Sequence, residues 1–187
     1  MVVAVPEIET ERLILRPWRE VDSAPFAAMN GDPEVRRFFP SVLSEKESNA
    51  LFDRFLSWQC DAICFAAVER KGEGLVGMTG LAAIDNNMPP APAVEIGWRF
   101  ARQAWGQGYA TEAARGWLGY GFETMGLSEI ISFAVTGSIR SLAVMGRLGM
   151  QPDPVADFDH PGISPDSPLR HHVPYRLRRE EWERGHA

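Results

Sequence analysis

The sequence is poor in cysteine, with two in 187 residues, Cys60 and Cys64. No further Cys or His pair stands at zinc-finger spacing from them, so no metal site is expected, and no disulfide framework either. Scarce thiols of this kind suit a reducing cytoplasm. Long apolar runs are missing as well, so no segment reaches the length of a membrane span. The N-terminus, Met1 to Glu7, is too short and too quickly charged to be a signal peptide. An excess of basic residues is the third absence. The net charge is −6, which argues against non-specific nucleic-acid binding, since that requires a basic face to displace counterions. What remains is an ordinary globular composition, 45% hydrophobic, without an internal repeat or a linker between two cores. The expectation is one soluble, cytoplasmic domain over residues 1–187.

Periodicity gives a coarse reading of the chain. Residues 8–18 alternate as one strand closed by Pro17. Asp22 or Ser23 is positioned to cap a short helix, and Ser44-Glu45-Lys46-Glu47 forms a capping-box pattern ahead of a longer one. Ile63–Val68 and Leu75–Leu81, separated by Lys71-Gly72-Glu73-Gly74, read as a hairpin. Val94–Phe100 is a strand. A helix runs from Tyr109 to about Thr124, and its Gly116, Gly119 and Gly121 each cost roughly 1 kcal/mol relative to Ala. They make sense as close-packing positions. Ile130–Val135 is nearly all apolar and reads as a buried strand. Ser138 caps the next helix, with Leu142, Val144, Met145 and Leu148 facing inward and Gly149 as its stop. After a Pro- and Asp-rich loop comes a final strand, His172–Leu177, and a polar tail. The order is β-α-α-β-β-β-α-β-α-β-β: a mixed α/β (α+β) chain with a central mixed sheet of about seven strands flanked by helices.

The most informative stretch runs from Val94 to Glu112. It places a strand, a glycine-flanked loop (Trp105-Gly106-Gln107-Gly108) and a helix start in succession, an order that turns backbone N–H groups towards an anion. A Walker A loop requires Gly-Lys-Ser/Thr, and here Tyr109 follows Gly108. A dinucleotide fingerprint requires a third small residue where Thr111 stands, directly after a strand in a β-α-β unit.

A third reading fits. Gln103-x-x-Gly106-x-Gly108 after Glu95-Ile96-Gly97-Trp98 resembles the coenzyme A pyrophosphate motif of GNAT acyltransferases. The segments Trp105–Ala113 and Ser138–Met150, the first strand Glu9–Arg16, Asp157–Pro161 and Leu169–Tyr175 resemble, more narrowly, the Rim-type branch that acetylates ribosomal-protein N-termini. The resemblance covers about residues 8–182.

It implies a GNAT fold and an N-acetyltransferase that moves the acetyl group of acetyl-CoA directly to a primary amine acceptor, without a metal, a nucleic acid or a membrane. The backbones of Trp98, Arg99 and Phe100 would pair with the pantetheine arm and polarise the thioester carbonyl. The amides of Trp105, Gly106, Gln107, Gly108, Tyr109, Ala110 and Thr111 would hold the pyrophosphate, with Arg102 adding charge. The attacking amine must be neutral, so a base is required. Glu95, on the strand face opposite Val94 and Ile96, is the candidate; a carboxylate paired across the sheet is the competing reading. The family's thiol-protonating tyrosine would stand at Met145 and is absent. Ser141 matches a branch serine that can hydrogen-bond the sulfur, and Ser138 stands where that branch has an asparagine.

Adjacent His171 and His172 point to opposite faces of a strand and so make a poor metal pair. Phe38, Phe39 and Trp58 are candidates for an acceptor pocket or for plain helix core. A protein N-terminus, a small-molecule amine such as an antibiotic or polyamine, and a non-catalytic acyl-CoA-binding module remain alternatives at the level of function. A homodimer is likewise left open.

Overall fold

The computed structural model describes residues 5–58 and 64–185. The strands are β1 (Ile8–Glu9), β2 (Leu13–Arg16), β3 (Phe65–Arg70), β4 (Gly74–Ala83), β5 (Val94–Phe100), β6 (Glu129–Val135), β7 (Gln151–Pro152), β8 (Phe158–Asp159) and β9 (His171–Arg178). The helices are α1 (Ser23–Gly31), α2 (Glu45–Trp58), α3 (Tyr109–Gly119), α4 (Ile139–Arg147) and α5 (Arg179–Gly185). The strands form one sheet in the order β1-β2-β3-β4-β5-β6-β9-β7, with β8 paired to β9. Every pairing is antiparallel except β5 with β6. This is the expected mixed sheet flanked by helices. It has more strands than expected because β1, β7 and β8 are two-residue pieces.

Two hydrophobic clusters hold the helices in place. Leu13, Leu15, Ile96, Phe100, Ala113, Trp117 and Met145 belong to the larger, which joins the sheet to α3 and α4. Trp18, Phe26, Phe52 and Phe55 build the second, between the sheet and α1–α2. Trp18 stacks on Phe55 at 5.7 Å and meets Phe26 edge-on at 5.2 Å, arrangements that add to plain burial.

Several local expectations are met. The capping box at α2 forms, with the Ser44 N–H donating to Glu47 Oε2 at 2.8 Å and the Glu47 N–H to Ser44 Oγ at 3.3 Å. β3 and β4 form the hairpin. The expected start of β3 at Ile63, together with Cys60, lies outside the described residues. A Cβ on Gly116 would come within 3.2 Å of Leu15, and one on Gly121 within 2.7 Å of Ile130, so these two glycines are close-packing positions. Gly119 has only ordinary contacts. Gly149, at φ 81°, ends α4, with Met150 N–H returning to the Met145 carbonyl at 3.1 Å.

Four expectations require correction. The single strand over 8–18 is two short antiparallel strands, because Thr10 N–H donates to the Leu13 carbonyl at 2.9 Å and turns the chain. Asp22 occupies the cap position of α1 but makes no side-chain cap. Its carboxylate instead receives a two-pronged bond from the buried Arg16, at 2.7 and 2.9 Å. Arg16 also donates to Glu69 at 2.6 Å, and taking the second carboxylate from so buried a guanidinium would cost more than a cap contributes. The helix from Tyr109 leaves α geometry at Tyr120 and finishes as a π turn, with Met125 N–H donating to the Tyr120 carbonyl five residues back. The polar tail is the short helix α5, which forms because Trp182 buries itself beside Phe122, their rings 5.8 Å apart.

Candidate active site

Strand β5 is paired with β4 along its whole length but with β6 at one position, Glu95 opposite Ile131. Beyond that point the two parallel strands separate. The Ala101 N–H donates to the Val76 carbonyl at 3.0 Å, which continues the β4 ladder, and the alternation of a strand fixes the rest. The backbone groups of Glu95, Gly97 and Arg99 turn towards β4. Those of Trp98 and Phe100 turn into the gap, past the single β5–β6 pair. The Phe100 carbonyl there accepts the Trp105 indole N–H at 2.8 Å. Arg99 thus departs from the expectation for its backbone, which the ladder with Met78 occupies.

The gap opens into a cavity of about 1900 Å³. At one end lies the loop before α3. Gly106 and Gly108 have φ of 76° and 81°, the left-handed region where a side chain is strained. Gly108 is the helix N-cap and brings no side-chain acceptor. The first bond of α3 runs from the Glu112 N–H to the Gly108 carbonyl at 3.0 Å. The N–H groups of Tyr109, Ala110 and Thr111 precede it and are left without helical partners, and these residues line the cavity with Trp105, Gly106 and Gly108. An uncapped helix start of this kind fits a pyrophosphate.

Gln107 and Arg102 do not line the cavity. The Gln107 carbonyl accepts from Arg12 at 3.0 Å, and Arg102 is exposed. Arg140 is a cation that does line the cavity at this end, with its guanidinium 4.4 Å over the Trp105 ring.

The loop is fastened from outside. Glu112 accepts from the Thr10 hydroxyl at 2.7 Å, the Arg12 amide at 2.8 Å and Arg12 Nε at 2.7 Å. Burial pushes the Glu112 carboxyl up, and these hydrogen bonds together with the Arg12 charge outweigh it, so it ends below its ordinary value. Arg12 also lies 4.7 Å over the Tyr109 ring.

In the middle of the cavity stands Glu95. Its carboxylate has no hydrogen bond or ion pair among the described residues, so the cross-sheet pair does not form. Burial pushes it up to about 7. His172 reaches the same cavity, while His171 points away towards Asp157 and Asp159. His172 packs on Phe158 at 5.5 Å, its Nδ1 is 3.0 Å from the Arg170 carbonyl, and burial lowers its pKa, leaving it neutral at pH 7.

Across the gap, Ser138 and Ser141 of the α4 start line the cavity together with Met145. The expected cap by Ser138 is not made. Its hydroxyl donates to Ser141 Oγ at 3.0 Å instead, which leaves the Ser141 proton free to turn into the cavity. The acceptor side is walled by Phe38, Phe39, Trp58 and Phe65. Here the Arg99 side chain, rather than its backbone, enters the cavity. A Cβ on Gly97 would come within 2.9 Å of the Phe65 ring, so glycine is needed between Glu95 and Arg99.

Arg12, Arg140 and the Arg99 side chain were not expected from the sequence. Arg140 stands between Ser138 and Ser141, a position that carried a signal. The other two meet their partners only through the fold.

Residues 12–151 match the model of the acetyltransferase (GNAT) domain. The chain is 30% identical over 194 residues to FsC-acetyl coenzyme A-N(2)-transacetylase of Aspergillus fumigatus, covering 98% of this chain and 80% of that one. Among solved structures, a GNAT-family acetyltransferase from Bacillus anthracis superposes with a TM-score of 0.79 at 25% identity, over 94% of this chain and 99% of the other. A spermidine N-acetyltransferase from Vibrio cholerae, solved with CoA and spermine, gives a TM-score of 0.71 at 16% identity, over 92% and 98%.

Proposed function

The chain belongs to the GNAT acetyltransferase family, whose members are acetyl-CoA-dependent N-acetyltransferases, and on that premise we propose how its own residues divide the work. The observation that carries the reading is the free edge of β5 at Trp98, set beside the uncapped start of α3. Acetyl-CoA, when bound, supplies an activated acetyl thioester. The amides of Trp105, Gly106 and Gly108 to Thr111 hold its pyrophosphate, with Arg140 adding positive charge. The Trp98 N–H, turned into the gap, would donate to the thioester carbonyl oxygen and stabilise negative charge developing there.

Glu95 takes a proton from the acceptor ammonium or from a water bound to it. A carboxyl titrating near 7 is suited to that task at neutral pH. Ser141 keeps its proton and would donate a hydrogen bond through it to the departing sulfur, which leaves as the thiolate and takes its proton from solvent. A thiol has a pKa around 8.5 and leaves with little help, which is compatible with the absence of a tyrosine at Met145. The acceptor is a primary amine. The motifs shared with the Rim-type branch favour a protein N-terminus. A cavity of about 1900 Å³ also accommodates a small-molecule amine. The chain acts as one acetyltransferase domain in the cytoplasm.

The test is twofold. Acetyl-CoA should raise the melting temperature, and free thiol should be released when an amine is added. A protein that binds acetyl-CoA tightly yet releases no thiol with any N-terminal peptide or small amine would be a binding module instead.

A further inference from the structure

On the acceptor side of the cavity one guanidinium, that of Arg99, has no carboxylate paired to it among the described residues. Arg99 Nη1 donates to Asn30 Oδ1 at 2.6 Å, and its Nε is buried without a partner. The Nδ2 of Asn30 is buried and unpartnered too. Flipping that amide would aim its N–H groups at the guanidinium, so the two lone donors cannot relieve each other. Arg99 lies 4.5 Å from the Phe39 ring centre, and Arg36 lies 4.3 Å from the same centre. Arg36 spends its Nε on the Ser41 carbonyl at 2.8 Å. Among the described residues no carboxylate comes within ion-pair distance of either guanidinium. The nearby Glu34 pairs with Arg37, at 3.9 Å. Burial and the charge of Arg36 push Arg99 down to about 9, which leaves it protonated at neutral pH.

A buried cation without a counter-charge is expensive, and proteins normally pair it. Here the missing acceptor has room, because Arg99 lines the cavity. Strand alternation puts its side chain on the face of Glu95, four residues and about 13 Å along the strand. That face belongs to the α1–α2 side, away from the α3 loop that fits the pyrophosphate.

We propose that the acceptor amine carries a carboxylate, and that Arg99, anchored by Asn30 and stacked on Phe39 beside Arg36, binds it. This rests on the acetyltransferase reading above. It disfavours polyamines, whose second charge would meet the Arg99 guanidinium. A free amino acid and a peptide N-terminus with an acidic second residue share the required chemistry.

The experiment compares matched amines with acetyl-CoA, reading thiol release. One arm sets an amino acid against its amide and its decarboxylated amine. The other sets an N-terminal peptide with Asp or Glu at position two against its Asn or Gln counterpart. A charge-assisted hydrogen bond in a buried site corresponds to a preference of about tenfold to a hundredfold for the carboxylate partner in at least one arm, and the arm that responds identifies the source. Arg99→Gln should bring that ratio close to one while the melting shift produced by acetyl-CoA persists, and Arg99→Lys should keep part of it. Equal or better turnover of neutral amines or spermidine overturns the proposal while leaving the acetyltransferase reading intact. A lost acetyl-CoA shift in folded Arg99→Gln also overturns it, by making Arg99 a cofactor ligand. If no amine turns over, the same pairs are compared by melting shift on the CoA-loaded protein, where absence of a carboxylate preference again overturns it.

Discussion

Arg12 and Glu112 meet at 2.6 Å and tie the turn of the first hairpin to the first turn of α3, a hundred residues away in sequence, which holds the loop between Trp105 and Gly108. The pair is half-open to solvent on the arginine side, 43% against 16% for Glu112, and the backbone amide of Arg12 and the hydroxyl of Thr10 complete the carboxylate's partners. Its importance lies in fixing a loop rather than in raw stability.

Glu112→Gln should lower stability by about 1 kcal/mol, the range for a partly exposed ion pair with hydrogen bonds, and weaken acetyl-CoA binding. Glu112 is held below its ordinary 4.5 in the folded state. Its contribution is therefore present above that value and lost as pH falls through the folded pKa. Urea midpoints of the two proteins should differ at pH 7 and converge in acid. A gap that persists in acid would mean the carboxylate charge is not what holds the hairpin.

Glu95→Gln should reduce kcat by about a hundredfold or more, the scale of general-base catalysis, with acetyl-CoA affinity nearly unchanged. In the wild type the rate should rise with pH through about 7, as Glu95 loses its proton. A limb that survives in Glu95→Gln and vanishes in His172→Gln would move the base to His172. Stability carries a second signature. Between the ordinary 4.5 and about 7 the folded protein keeps a proton that the unfolded chain releases, so stability falls with rising pH across that window. Glu95→Gln should flatten that slope.

The loop and its flanking strand were legible in the sequence because both depend on local rules. The two glycines sit at positive φ, and the helix start follows them directly. The placement of Glu95 followed from strand alternation alone. What could not be read was whatever depends on a partner far away in sequence. Asp22 has the composition of a helix cap, yet Arg16 takes it. Arg99 was assigned by its backbone, and only the register of β5 on β4 turns that backbone away and leaves the side chain for the cavity. The tail looked polar because one tryptophan among charges gives no periodicity, and Trp182 meets Phe122 only through the tertiary fold.

Ser141→Ala should slow turnover modestly, by roughly tenfold at most, since a thiolate with a pKa near 8.5 needs little protonation to leave. The Ser138 hydroxyl donates to Ser141 at 3.0 Å, so Ser138→Ala should have a smaller effect of the same sign. Equal kcat for Ser141→Ala and wild type, in a regime where chemistry limits the rate, would remove Ser141 from the mechanism.

Gly108 and Gly146 should respond in opposite ways to the same added methyl. Gly108 has φ 81°, where a Cβ costs about 1–2 kcal/mol, and its backbone forms the start of α3 against the expected pyrophosphate. Gly108→Ala should lower both the melting temperature and acetyl-CoA affinity. Gly146 lies inside α4, is exposed, and a Cβ there would meet nothing within 4 Å. Alanine is favoured over glycine at such a site by about 1 kcal/mol, so Gly146→Ala should raise the melting temperature and leave the loop untouched. Isothermal titration with acetyl-CoA and thermal melts of both variants separate the two effects. Unchanged affinity in Gly108→Ala would mean that the left-handed turn is not needed to hold the anion.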